Sequence, residues 1–457
     1  MYQIDFTKPI HIHFIGIGGI SMSGLASILL NQHFRISGSD SKESPLTKWM
    51  EKEGAVVYYG QRASNIQDGT DLVVYTAAIH PDNPEYAEAF QKGIPMMSRA
   101  ELLGQLMKNY QTPIAVAGTH GKTTTTSMGA HILLAAGKDP TISVGGILKA
   151  IHGNIRVGGH ETFITEACEY TNSFLHFYPK ISLILNIDAD HLDFFKDLND
   201  IRHSFRLFAE RLPQDGTLII NQEIENYQEI TDGLACQVVT YGKGGDYCAE
   251  NISYDSMGCG SFDLLKHKKV LGHFQLRVPG AHNVSNAVAT LVLADLLHIP
   301  YEAMQRGLLD FGGTDRRFEK KGEIGGITII DDYAHHPTEI CATLDAAANY
   351  PHQTTWCVFQ PHTYTRTKAL MNEFADALCR ADKVILADIY AARETDDLGV
   401  SSRNLMELIN ARGGDACYFP SFNAIENFLL EHCENGDLIL TMGAGDVVKI
   451  GEHLLGK

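Results

Sequence analysis

The stretch AVAGTHGKTTTT at 115–126 holds the residues whose chemistry is most definite in the chain. A loop ending in Gly-Lys-Thr at the mouth of a helix binds phosphate, because unpaired backbone N–H groups and the helix dipole favour an anion. In this reading the backbone of Gly118, Thr119, His120 and Gly121 wraps the phosphates of ATP, with Thr124 in the next turn. Lys122 reaches the β- and γ-phosphates and the Thr123 hydroxyl holds Mg²⁺. One position departs from the usual G-x-x-x-x-G-K-[ST]: Val116 stands where the first glycine belongs. The apolar PIAVAG before the loop and SMGAHILLAAG after it supply the strand and helix that such a loop requires.

A second glycine turn lies in HFIGIGGISMSGLASILL at 13–30. Gly16, Gly18 and Gly19 let the backbone approach a pyrophosphate, and FRISGSD (34–40) ends in Asp40, placed to accept hydrogen bonds from a ribose. The sixth position of G-x-G-x-x-G is Ser21, so the turn suits a UDP-sugar as well as NAD.

Positioning these turns requires an α/β framework. Short apolar runs at 10–18, 71–79, 113–118, 162–167, 181–187, 217–221, 326–333 and 383–389 read as strands, many separated by helix-compatible stretches. That alternation predicts mostly parallel sheets covered by helices. A chain of 457 residues exceeds one core, and seams near 110 and 314 divide it into 1–110, 111–314 and 315–457. These units are expected to be a Rossmann-like domain, a central P-loop domain and a second Rossmann-like domain.

Acidic residues outnumber Lys plus Arg by 55 to 37, giving a net charge of −18 that disfavours a nucleic-acid partner. No apolar run is long enough to span a membrane, and the N-terminus has no secretory pattern, so a cytoplasmic protein is expected. Nine scattered cysteines without a C-x-x-C pair fit reduced thiols.

The ordered blocks HFIGIGGISMSGLA, SGSD, GTHGKTTTT, EACEY, NIDADHLDFF, HNVSNA, DRRFE, DDYAHHPTE, QPHTYTRT and GAGD resemble the Mur ligase family from end to end. These are the amide-forming enzymes of peptidoglycan precursor synthesis, and in them a non-glycine residue at the loop's first position is normal. The resemblance lies with the branch that adds the first amino acid. It implies ATP, Mg²⁺, UDP-N-acetylmuramate and L-alanine as the small molecules bound, with a monomer or homodimer working through an acyl phosphate.

By that resemblance Lys122, Glu166, His191 and Arg317 are the catalytic residues, and Glu166, His191 and Thr123 hold metal. Arg317 is a second fixed cation on the phosphates. Asn283 and Asn286, three residues apart at a helix start, suit the adenine edges, and Asp332 the ATP ribose. Gly16, Gly18, Gly19, Ile20, Ser21, Asp40, Thr76 and His120 line the UDP-sugar. Tyr333, His336, His362 and Arg366 receive alanine, although many relatives carry arginine where this chain has Thr363. Arg206 stands where other branches carry a carbamylated lysine, which implies that no carbamate bridges the metals. The alternatives are a recycling ligase that attaches a whole tripeptide, an NAD-dependent oxidoreductase built on Gly16 and Asp40, and an ATP-switched binding protein without catalysis.

Overall fold

The computed structural model describes residues 2–76, 78–192, 194–392, 394–395 and 397–457. Its strands form three sheets in chain order. The first contains β1 (His11–Ile15), β2 (Arg35–Asp40), β3 (Val56–Tyr59), β4 (Leu72–Tyr75) and β5 (Met96–Ser98) in the order β3-β2-β1-β4-β5, all parallel. The order reverses between β1 and β4, and a crevice at such a reversal, beyond the strands' carboxyl ends, is where ligands bind in open α/β sheets.

The second sheet has ten strands: β6 (Thr112–Ala117), β7 (Thr141–Leu148), β8 (Gly153–Arg156), β9 (Thr162–Ala167), β10 (Ile181–Ile184), β11 (Thr217–Asn221), β12 (Gln237–Tyr241), β13 (Tyr247–Tyr254), β14 (Cys259–Lys266) and β15 (Lys269–Pro279). β6 lies between β9 and β10 and is parallel to both. The third sheet contains β16 (Glu319–Ile324), β17 (Ile327–Asp332), β18 (Thr355–Phe359), β19 (Lys383–Leu386), β20 (Ala416–Tyr418) and β21 (Leu438–Met442) in the order β16-β17-β21-β18-β19-β20. Only β16 runs antiparallel there.

Each apolar run read as a strand coincides with one, and β1, β10 and β18 are buried along their whole length, as helix-covered parallel strands must be. The antiparallel meander β13–β15 is an addition to the expected pattern. Along it Phe262, Leu264, Phe274, Leu276 and Val278 are buried and alternate with Asp263, His273, Gln275 and Arg277, the period-2 mark of a sheet with one wet face. The helix Lys122–Ala135 packs closely: a Cβ on Gly129 would come 2.8 Å from Ile164 of β9. Among the described residues no helix is long and apolar enough to cross a membrane, and all nine cysteines are free.

Candidate active site

β6 delivers the chain to the phosphate loop, and two glycines shape the turn. Gly118 has φ +144° and Gly121 φ +82°, a range that L side chains rarely adopt. A Cβ on Gly121 would also lie 2.6 Å from Asn286 Oδ1. Val116, in contrast, is a fully buried residue inside β6, where a side chain packs and a glycine would weaken the strand.

Lys122 Nζ donates to Thr119 O at 3.0 Å, to Gly118 O, and to Glu169 Oε2 at 3.0 Å. Burial opposes the ammonium charge, but Glu169 outweighs it and the Lys122 pKa is raised. Glu169, the second acid of EACEY, is not among the residues expected at the site, yet it is almost wholly buried.

Glu169 Oε1 also lies 3.9 Å from His191 Nε2, so one carboxylate faces both Lys122 and His191. His191 sits at φ +53° with its ring 4.5 Å from that of Tyr170. Glu166, at the end of β9, accepts a hydrogen bond from Gly145 N. The hydroxyl of Thr123 and the carboxylate of Glu166 are the hard oxygen donors that Mg²⁺ selects, with water completing its octahedron; imidazole is a softer ligand. Arg206, in helix Leu198–Ala209, donates to Ile230 O, Asp232 O and Glu210 instead of entering this site.

The third layer closes over the loop. His120 Nδ1 lies 3.2 Å from Glu339 Oε1, and Nε2 faces Asp188 Oδ2 at 3.0 Å, close as an ion pair but without hydrogen-bond geometry. Burial pulls the His120 pKa down, yet these two carboxylates raise it to about 9. Burial likewise opposes the Glu339 charge, but His335, His120 and Arg317 hold its pKa well below the usual range. His120, Asp188 and His336 bring three donor atoms within 4.8 Å of one another. His336 nevertheless has both ring nitrogens engaged: Nδ1 accepts from Thr338 N of its own helix, and Nε2 meets Ala189 O and so joins the third layer to the second.

Because the folded His120 pKa exceeds 6.5, its stabilisation is complete below pH 6.5 and is lost as pH rises through about 9. His120→Gln is therefore expected to lower the melting temperature by several degrees near neutral pH, and the gap to wild type should close above pH 9. Melting curves across that window check it; a gap that does not change with pH would contradict it.

Beside the loop lies a cavity of about 200 Å³ whose lining includes Thr124, His282, Asn283, Asn286, Arg317 and Asp332. Asn283 Nδ2 donates to Pro279 O at 2.7 Å, and Asn286 Nδ2 to Asn283 Oδ1 at 3.2 Å, which aligns the two amides at the start of helix Ala281–Leu296. Burial holds His282 at a pKa of about 4, a neutral flat ring at pH 7. Of the arginine pair, Arg316 is bound to Asp331 and to the carbonyls of Gly443 and Gly445. Arg317 faces the cavity, with Glu339 at 3.8 Å and its guanidinium over the Tyr333 ring. Asp332 accepts from Phe318 N and Ala334 N, and burial pushes its pKa up to about 6.

A second cavity, of about 290 Å³, has apolar walls from Ala189, Leu192, Ala369, Leu370 and Ala392. His362 and Arg366 line it; Tyr333 and His336, expected beside them, do not. Tyr333 instead lies under the guanidinium groups of Arg316 and Arg317, and His336 caps helix Pro337–Ala348. Arg366 donates through Nε and Nη2 to Asp190 Oδ1 at 3.1 and 2.9 Å, and its Nη1 meets His362 Nδ1 at 3.0 Å. Burial opposes the Asp190 charge, but Arg366 holds its pKa well below the carboxylate range. Thr363 has φ +63°, a strained conformation for a β-branched residue, and its hydroxyl caps the helix that carries Arg366.

At the first sheet, Gly16 N and Ile17 N donate to Ser39 O at 2.8 and 2.9 Å, folding the turn onto the end of β2. Gly18 N donates to Asp40 Oδ2 at 2.9 Å, and a Cβ there would meet that oxygen at 2.7 Å. Asp40 thus fastens the turn as well as facing the crevice edge. Ile20 is exposed, Ser21 partly so, and Thr76 lies 3.9 Å from where a Gly16 Cβ would stand. Asn154, in β8, donates to Ile20 O and links this turn to the second layer.

A phosphate loop under a charge-lined third layer, with a second glycine turn tied to the middle layer through Asn154, describes a ligase of three-part construction. Family models match in the same order: Mur ligase family, catalytic domain at 11–111; Mur ligase middle domain at 116–294; Mur ligase, glutamate ligase domain at 316–445. The chain belongs to the Mur ligase family. It is 62% identical over 459 residues, covering all of both chains, to the UDP-N-acetylmuramate–L-alanine ligase of Agathobacter rectalis. It is 52% identical, over 99% of both chains, to the enzyme of that name from Caldanaerobacter subterraneus. The crystal structure of UDP-N-acetylmuramate-alanine ligase from Thermotoga maritima matches 98% of each chain with a TM-score of 0.82 at 30% identity.

Proposed function

We propose that this protein joins L-alanine to the carboxylate of UDP-N-acetylmuramate with cleavage of ATP to ADP and phosphate. The relatives' shared name supports the substrates. The observation that carries the chemistry is the meeting of Lys122, Glu169, His120, Glu339 and Arg317 where the second and third layers close together. We infer seams near 110 and 314, and action in the cytoplasm as a monomer or homodimer.

Amide formation from a carboxylate requires that it first attack the γ-phosphate, and the repulsion between two anions is the main obstacle. Lys122 and Arg317 offset that repulsion with charges fixed before the substrates arrive. Thr123, Glu166 and His191 would hold Mg²⁺, which would further neutralise the phosphate oxygens. Asn283 and Asn286 present amides to the adenine, and the buried Asp332 fixes the cavity floor. His362 orients Arg366 toward the alanine carboxylate, while the small apolar side chains of that cavity take the methyl. Mass spectrometry of the products, with each substrate omitted in turn, tests the reading: the amide must appear only when all three are present.

Glu166→Gln and His191→Ala are each expected to raise the Mg²⁺ concentration for half-maximal rate about tenfold or more. The double variant should lose less than the combined single effects, since groups acting as a unit are non-additive. Magnesium titrations of initial rate check this, and an unchanged requirement would remove both residues from the metal site.

A further inference from the structure

Arg99 is a cation without a counter-charge. It opens helix Arg99–Met107 directly after β5, and among the described residues it makes no ion pair, hydrogen bond or ring contact. Its guanidinium is largely withdrawn from water, and that burial lowers its pKa. A positive charge at a helix N-terminus also opposes the helix dipole. Both penalties fall away if an anion docks against it.

The position says which anion. Ser98 pairs with Tyr75 of β4, so Arg99 and Thr76 are the next residues on neighbouring strands, and Thr76 borders Gly16. Gly16, Thr76 and Arg99 therefore follow one another along the carboxyl edge of the first sheet, beginning at the point where strand order reverses. The helix that Arg99 begins packs onto the second layer, with Gly104 against His176 O, where any side chain would collide. The same helix lies against the short helical turn Tyr170–His176, which directly follows Glu169. Arg99 thus lies between the sugar-nucleotide crevice and the phosphate loop.

Resting on the reaction proposed above, we propose that Arg99 binds the carboxylate of the incoming sugar nucleotide and holds it beside the acidic turn Glu166–Glu169. The pyrophosphate already has the N–H groups of the glycine turn and the dipole of helix Ile20–Asn31. Lys122 and Arg317 are committed to the phosphates, so the carboxylate, drawn toward Glu166 and Glu169, needs a cation of its own.

Calorimetric titration of wild type, Arg99→Met and Arg99→Lys with UDP-N-acetylmuramate, UDP-N-acetylglucosamine and ATP tests this; the second sugar nucleotide lacks the carboxylate. Arg99→Met is expected to weaken UDP-N-acetylmuramate about ten- to a hundredfold. UDP-N-acetylglucosamine and ATP should be nearly unchanged, lysine should restore part of the loss, and the ligand-free melting temperature should stay level or rise. Equal weakening of both sugar nucleotides would place Arg99 on the pyrophosphate and overturn the proposal, as would no weakening of either. A lower melting temperature with losses for every ligand would mark a structural residue and overturn it too. A wild type that binds neither sugar nucleotide would instead overturn the proposed reaction, and this assignment with it.

Discussion

Lys122→Ala is expected to lower amide formation by about a hundred- to a thousandfold while sugar-nucleotide affinity barely changes. The ammonium is the fixed positive charge of the phosphate loop, and the glycine turn of the first sheet lies in a separate layer. Part of the loss has a second cause. Glu169, almost wholly buried, would be left without its partner, and breaking a buried ion pair from one side costs about 3–5 kcal/mol. Lys122→Met combined with Glu169→Gln separates the two effects: melting temperature should recover in the double variant and turnover should not. Single-turnover kinetics with calorimetric binding make the comparison, and recovery of turnover would reduce Lys122 to a structural role.

Arg366→Ala has the next largest expected effect, a rise in the alanine KM of about ten- to a hundredfold with ATP and sugar-nucleotide affinities preserved. All three guanidinium nitrogens are engaged, two by Asp190 and one by His362, so alanine must compete for a cation that Asp190 already holds. Thr363 offers no second guanidinium, and among the described residues that line this cavity Arg366 is the one with a guanidinium. Arg366→Ala paired with Asp190→Asn removes the uncompensated carboxylate; the alanine KM should remain high in that double variant while stability returns. Steady-state rates against alanine decide it, and an unchanged KM would take QPHTYTRT out of the amino-acid site.

Features that depend on neighbours in the chain were legible before the fold was seen. The phosphate loop needs φ > 0 at Gly118 and Gly121 between a strand and a helix, and that demand is written in twelve consecutive residues, 115–126. Charge pairs were not legible, because nothing local brings them together. Lys122 meets Glu169 across 47 residues, Arg366 meets Asp190 across 176, and His120 meets Glu339 across 219. Of these three acids only Glu169 has a local hint, a buried charge in a strand-end turn that already held Glu166. Tyr333 and His336 lie apart from His362 and Arg366, with which the sequence grouped them: a cation stack and a helix cap hold them outside that cavity. The meander β13–β15 did carry its own signal in the alternation of SFDLLKHKKVLGHFQLRV.

The central claim is that ATP activates the sugar nucleotide's carboxylate before alanine arrives. Its most direct test is a reaction run with UDP-N-acetylmuramate labelled with ¹⁸O in both carboxylate oxygens, with phosphate and amide read by mass spectrometry. An acyl-phosphate route transfers one labelled oxygen to inorganic phosphate and leaves the other in the amide carbonyl, one amide for each ADP. Amide formed with unlabelled phosphate would contradict it.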